Sequence, residues 1–255
     1  MTFQPRRLIV AGRCGRGIRG AGADNGSSVN PRHPANISYR LDADTGELKW
    51  HYQFTPHDTH DWDSNHIPVL ADVRVGGQTR KAVMVANRNG FFYVLDRATG
   101  KVLLAKPFTD TNWAREIGAD GRPIVLEEMG TNKGLPDFWG GTNFMPPSCD
   151  PALNLFFVTA RETCVTYVAV KPEITVGQAS VGGGVRRVAD RIFDCGALRA
   201  IDASTGDRKW ELRYAAPSLA GVMSTASGLV FASLGDDACR VRIAEGMSIV
   251  TPRAH

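Results

Sequence analysis

Three stretches share one local grammar: "LDADTGELKW" (41–50), "LDRATG" (95–100) and "IDASTGDRKW" (201–210). Each begins with an apolar residue and an aspartate. A short turn ending in Thr-Gly follows, and in two of the three a tryptophan comes four residues after the glycine. Asp and Thr hold tight turns with their side-chain oxygens, and Gly supplies the positive φ such turns require. The pattern therefore predicts a strand, a four-residue turn and a second strand. A strand–turn–strand unit recurring along a chain is the mark of a repeat architecture.

The sequence around these turns agrees. "KAVMVANRNGFFYVLDRATGKVLLAKPF" reads as three strands, 82–87, 91–96 and 101–108, joined by Asn-Gly and Thr-Gly turns. "NLFFVTA" (154–160), "LRAID" (198–202) and "LVFASL" (229–234) are further short apolar runs rich in β-branched and aromatic residues. No dozen residues carry a helical period. The fold class expected is all-β, and the repeated turn favours a propeller over a sandwich or barrel. At roughly 40–45 residues per blade, the chain holds four to five blades. The longer pieces 55–80, 109–150 and 171–197 are expected as loops on one face.

The chain has 255 residues, 43% of them hydrophobic and 22% charged, which suits a globular domain with a sizeable core. Its net charge of +4 is unevenly placed, because residues 1–40 carry seven arginines against the single acid Asp24. The body of the protein is therefore slightly acidic and is not a nucleic-acid binder. The Gly- and Arg-rich segment 1–40 is expected to be a poorly ordered tail, too polar to bury a core. It has no interleaved aromatics for base stacking. The apolar run "LIVAG" behind Arg6 and Arg7 is too short for a signal peptide, and no segment reaches the ~20 apolar residues of a membrane span. Five cysteines at wide spacing, with no CxxC pair, read as free, mostly buried thiols.

The densest chemistry lies in "TPHDTHDWDSNH" (55–66), with three histidines and three aspartates in alternation. A histidine-led zinc or iron site wants helical spacing, which Pro56 and the surroundings deny. Asp61 and Asp63 stand two apart. In extended structure both side chains face one side, and such a pair can chelate a hard, oxygen-loving cation. One of the two can also act as a base. The bland alternative is a solvated loop in which His57 or Asp58 caps a turn. Arg88 in "ANRNG" is either a partner for a loop acid or a fixed cation aimed at a carbonyl. Asn143 in "GGTNFMPPSCDP" (140–151) reads alone as a turn asparagine.

Taken in order, "LDADTGELKWHYQFTPHDTHDWD", "ANRNGFFYVLDRATGKVL", "GGTNFMPPSCDPALNLFFVTA" and "GALRAIDASTGDRKWELRY" resemble the pyrroloquinoline quinone (PQQ)-dependent alcohol and methanol dehydrogenases. The resemblance runs from about residue 41 to about residue 235. It implies a propeller of the eight-bladed quinoprotein type, present here as a partial copy. The resemblance also implies roles. Asp61 is the general base beside the metal, and Arg88 bonds the reactive quinone carbonyl. Asn143 contacts the cofactor, and Asp63 adds a metal ligand typical of the lanthanide-using branch. The cofactors implied are PQQ with a calcium or lanthanide ion. The reaction is oxidation of a small primary alcohol, with electrons passed to a cytochrome c-type acceptor. The location implied for the family is the periplasm. On this reading residues 41–237 form the partial propeller, and 1–40 and 238–255 are non-matching ends. The family's tryptophan before "GVMSTASGLVF" is replaced by Leu219. The repeat alone also allows a non-catalytic PQQ-repeat propeller serving as an interaction or assembly scaffold.

Overall fold

The computed structural model describes residues 8–13, 37–42, 44–56, 58, 60, 62–126, 133–163, 165–169, 183–187, 195–233, 239–243 and 249–250. Its architecture follows from the repeated hairpin. At Asp42 the carboxylate Oδ1 accepts the backbone N–H groups of Asp44 and Thr45, each at 3.1 Å. At Asp96 it accepts those of Ala98 and Thr99 at 2.9 Å, and at Asp202 that of Ser204 at 2.8 Å. In all three the glycine N–H then closes on the aspartate carbonyl at 2.8–2.9 Å, with φ of +73° at Gly46, +73° at Gly100 and +74° at Gly206. The strand register shifts at the same place each time, beside the residue before the aspartate. One turn chemistry has therefore been used three times.

Among the described residues the strands form six sheets, four of them radial blades and two smaller ones lying in the connections. The first is β1 (Leu8–Arg13), β2 (Ile37–Asp42) and β3 (Leu48–Gln53). The second is a four-strand meander, β4 (Val69–Val75), β5 (Gln78–Ala86), β6 (Phe91–Asp96) and β7 (Val102–Pro107). A hairpin, β8 (Ala114–Ile117) and β9 (Pro123–Val125), and the short β10 (Lys133–Gly134) follow. The third sheet takes β11 (Ser148–Asp150) and β12 (Leu155–Glu162) first. After the excursion β13 (Val165–Ala169), which pairs with both β10 and β14 (Gly183–Arg187), it is completed by β15 (Cys195–Asp202) and β16 (Arg208–Tyr214). The fourth is β17 (Val222–Ser224), β18 (Leu229–Ser233), β19 (Cys239–Ile243) and β20 (Ile249–Val250). Every pairing is antiparallel. This is a partial β-propeller. No helix occurs among the described residues, and none is long and apolar enough to cross a membrane.

The sheets extend beyond the expected boundaries at both ends. Strand β1 lies inside the segment read as a disordered tail. Its "LIVAGR" run ladders onto β2, from Leu8 opposite Asp42 to Arg13 opposite Ile37. A short apolar run, expected only to be too short for a signal peptide, gains backbone partners from residues 37–42. Strands β19 and β20 lie in the 238–255 segment and join β18. The expected loop 55–80 is shorter than thought, because β4 and the start of β5 occupy 69–80. The expected loop 109–150 holds β8, β9, β10 and β11, and 171–197 holds β14 and the start of β15, the remainder there lying partly outside the described residues.

Packing explains why the central strands read as unbroken apolar runs. In β5 and β6, Ala82, Met84, Ala86, Phe92 and Val94 face the third sheet, in one core with Phe156, Val158 and Ile201. The alternate residues Val83, Val85, Phe91, Tyr93 and Leu95 face the first sheet, in a second core with Trp50, Phe54, Trp62 and Trp113. A third core joins Phe157, Leu198 and Ala200 to Val222 and Val230 of the fourth sheet. Blades stacked face to face bury both sides of a strand, so polar alternation disappears. The described thiols Cys149 and Cys195 are free and half-buried rather than buried, and Cys14 and Cys164 lie outside the described residues.

Candidate functional site

The loop after β3 is held by Asp58. Its Oδ1 accepts the N–H of His60 and its Oδ2 that of Trp62, both at 2.8 Å. The aspartate of "HD" thus organises the turn, as the capping alternative expected. The Trp62 indole is fully buried and stacks on the His60 ring at 4.1 Å, and it donates to the carbonyl of Asp137 at 2.8 Å. Two residues on, Ser64 accepts the side-chain amide of Asn87 at 2.9 Å, tying the loop to the end of β5. Asp63 is half-buried between these anchors, and its carbonyl accepts the N–H of Asn65 at 2.9 Å. Asp61, assigned as base and metal ligand, lies outside the described residues, as does His57. Among the described residues no three His, Cys, Asp or Glu side chains come together around a point that could hold a metal ion.

"NRNG" (87–90) is the turn between β5 and β6, and its three polar residues do different work. Asn89 is fully buried. Its amide nitrogen reaches the carbonyl of Phe54 at 3.3 Å, Oγ1 of Thr55 at 3.1 Å and the Tyr93 hydroxyl at 2.9 Å, while its oxygen accepts the N–H of Phe91 at 3.1 Å. It is a structural pin. Arg88 is 7% exposed and anchored by one arm, with Nη2 donating to the carbonyl of Phe138. Its Nε is buried and has no hydrogen-bond partner. Among the described residues no carboxylate is paired with it, while Asp61 lies outside them, so the loop-acid alternative stays open there. The backbone packs as tightly: the Arg88 carbonyl accepts the N–H of Gly141 at 2.8 Å, and a Cβ on Gly140 would fall 2.5 Å from that of Arg88.

Asn143 sits in the loop facing this turn and is 4% exposed. Its Nδ2 donates to the carbonyl of Trp139 at 2.8 Å. Its Oδ1 accepts the N–H of Phe144 at 2.9 Å and Nδ2 of Asn65 at 2.8 Å. Arg88 and Asn143 are therefore hung from consecutive carbonyls, those of Phe138 and Trp139, and Asn65 brings the acidic loop to the same point.

His66 enters the sequence reading only as one of the three histidines of the acidic loop. It is 6% exposed and neither ring nitrogen has a hydrogen-bond partner. Burial, and secondarily the Arg88 charge, push its pKa down to about 3, with a small opposing pull from the Thr142 backbone. It is therefore a neutral imidazole at any ordinary pH. A protonated ring there would compete with Arg88 for whatever negative charge the site takes.

Four radial sheets, the thrice-used Asp-Thr-Gly hairpin and a buried arginine presented at the end of a central strand define a PQQ-type repeat propeller. Comparison with known proteins agrees. Residues 39–108 match the family model described as the glucose/ethanol/alcohol dehydrogenase beta-propeller domain. The chain is 36% identical over 200 residues to the lanthanide-dependent methanol dehydrogenase of Methylacidiphilum fumariolicum, covering 74% of this chain and 32% of the relative. It is 38% identical over 213 residues to the quinoprotein ethanol dehydrogenase of Pseudomonas aeruginosa, covering 77% of this chain and 34% of the relative. Among solved structures a europium-containing methanol dehydrogenase superimposes with a TM-score of 0.86 at 28% identity, over 99% of this chain and 46% of that one. The quinohemoprotein alcohol dehydrogenase of Comamonas testosteroni does so with 0.77 over 86% of this chain and 36% of that one. The chain belongs to the PQQ-dependent alcohol dehydrogenase family. It spans about a third of the length of the curated relatives it matches.

Proposed function

We propose that this chain carries one wall of a PQQ site that oxidises primary alcohols, with Asp61 as base and Arg88 as the partner of the reactive carbonyl. The observation that carries the reading is the state of Arg88. A charged side chain is buried, fixed by one arm, and left with an N–H that nothing among the described residues accepts. Leaving a buried donor unmade costs about 1–3 kcal/mol, a cost that a bound carbonyl oxygen would remove. Arg88 thus suits the quinone that the family uses.

PQQ, when bound, supplies the two-electron acceptor that receives hydride from the alcohol carbon. A calcium or lanthanide ion held by Asp61 and Asp63 would supply Lewis acidity beside it, and the oxygen-only donor set suits such hard ions. The rest belongs to the chain. Asp61 takes the hydroxyl proton of the alcohol. Arg88 aims its free donors at the oxygen where negative charge grows, in a region from which burial excludes water. His66 stays neutral, so Arg88 remains the cation of that pocket wall. Asn143 keeps one amide N–H uncommitted, because its oxygen is taken twice and its nitrogen once. The electrons would pass to a cytochrome c-type acceptor, in the periplasm.

The test adds PQQ with calcium, and separately with lanthanum, to the purified protein. Cofactor fluorescence reports binding, and dye-linked oxidation of a primary alcohol reports turnover. General-base catalysis contributes roughly 10²–10⁴-fold, so Asp61→Asn should lower turnover by that factor while cofactor is still taken up. Turnover undiminished in that variant overturns the assignment.

A further inference from the structure

We infer that Asn65 is a positioning residue: its side-chain amide fixes and polarises the Asn143 amide, so that the last free N–H of Asn143 points at the ligand. The inference rests on the reading above for what that ligand is, but its geometry stands independently.

Two backbone groups settle which way round the Asn143 amide lies. The N–H of Phe144 can only donate, so it must meet Oδ1. The carbonyl of Trp139 can only accept, so it must meet Nδ2. A second partner of Oδ1 therefore has to be a donor, and Asn65 provides its Nδ2 at 2.8 Å across 78 residues of sequence. An amide oxygen accepts two bonds and the nitrogen donates two. Three of those four places are filled, leaving one N–H.

The Asn65 bond does two things to that N–H. It removes the freedom of a loop that carries no regular structure between Leu135 and Pro147. It also draws electron density toward Oδ1, which makes the remaining N–H a stronger donor, as in any chain of polarised hydrogen bonds. Asn65 itself is exposed, yet its backbone N–H bonds the carbonyl of Asp63 at 2.9 Å. The bond thus joins the loop carrying the acids to the loop carrying the cofactor amide. A merely surface asparagine has no reason to meet this demand for a donor.

The experiment uses Asn65→Asp and Asn65→Gln in the full chain. Aspartate sets an acceptor against Oδ1, whereas glutamine keeps a donor. First, the side-chain amide signals of ¹⁵N-labelled protein are recorded without any ligand, with Asn143→Asp identifying the signal of interest. Asn65→Asp should move that signal and Asn65→Gln should restore much of it. Second, PQQ is titrated by fluorescence. Asn65→Asp should bind about tenfold more weakly, one good hydrogen bond's worth, and Asn65→Gln within about threefold of the parent, since it keeps the donor. An unmoved Asn143 signal, or equal PQQ affinity of the aspartate variant and the parent, overturns the inference. If the parent itself takes up no PQQ, the proposed function fails, and the amide signal alone decides whether Asn65 positions Asn143.

Discussion

The Trp50 indole lies flat against Gly100 of the neighbouring blade, so close that a Cβ on Gly100 would fall 2.7 Å from the ring, and it donates its N–H to the carbonyl of Arg97 at 3.1 Å. The tryptophan ending one repeat is thereby docked on the turn of the next. In the second blade Leu104 occupies the equivalent position, and its Cδ2 would lie 3.4 Å from a Cβ on Gly206 of the third, behind Lys106 Cβ at 2.8 Å. The repeat sequence thus encodes both the hairpin and the contact that stacks one hairpin on another.

This contact separates two glycines that look identical in sequence. Gly46 and Gly100 both have φ +73°, but nothing lies within 4 Å of the Cβ position on Gly46. Gly46→Ala should therefore cost only the left-handed backbone strain, about 1–2 kcal/mol. Gly100→Ala must also displace Trp50, adding about 1–3 kcal/mol of overpacking. Urea midpoints of the two variants measure the difference, and equal losses would disprove the docking role.

Asn89 makes a second prediction. Replacing it with leucine leaves the N–H of Phe91 and the Thr55 and Tyr93 hydroxyls short of a partner in a fully buried place. One to three kcal/mol attaches to each unmade buried group, partly relieved by rearrangement, so a loss of about 3 kcal/mol is expected. Arg88→Leu, next door, should cost less stability in denaturant titration, because it removes a group whose Nε is already unpaired.

The fold was legible because its signal is local. Asp, Thr and Gly within six residues dictate a turn, and three copies dictate a repeat. The strand at 8–13 was not legible, since only its ladder with residues 37–42 makes it a strand, and composition near it pointed to a tail. The resemblance, rather than spacing, picks out Arg88 and Asn143, and what holds them is backbone, the carbonyls of Phe138 and Trp139, which carry no side-chain signature. His66 and Asn65 look like two more polar letters of a wet loop. Only burial in one case, and a bond across 78 residues in the other, distinguish them.

The low pKa of His66 gives the protein a pH dependence of known sign. Its folded value, about 3, lies below the ordinary 6.5. Between those values the unfolded chain holds the extra proton, so stability is full above about pH 6.5 and falls as pH drops toward 3, at up to about 1.4 kcal/mol per unit. From pH 7 to pH 5 the loss should reach about 2 kcal/mol. That window lies above the range of Asp202 and Glu211. Burial raises both carboxyls, but Ser204 and Lys209, and Arg213 and Arg199, outweigh it and hold them below their ordinary values. Denaturation midpoints at the two pH values should differ in the parent and nearly coincide in His66→Leu.

Gly140 provides the sharpest separation of fold from function. Its φ is +82°, and an added Cβ would meet Arg88 at Cβ, Cα and Cγ, 2.5–2.7 Å away. Only Cγ can move by rotation about the side chain, because Cα and Cβ are set by the backbone, so the two facing turns must part, which breaks the bond of Arg88 to Phe138 and re-aims the guanidinium. Gly140→Ala should therefore cost about 2–5 kcal/mol of stability, from strain plus overpacking. It should also lose PQQ affinity by a factor near that of Arg88→Leu. If position 140 mattered only for packing, the variant would bind cofactor as tightly as the parent at a temperature where both are folded. Fluorescence titration of PQQ at about 10 °C, near the usual maximum of protein stability, distinguishes the two, because tight binding by Gly140→Ala would mean that Arg88 does not set the affinity from the position its neighbours enforce.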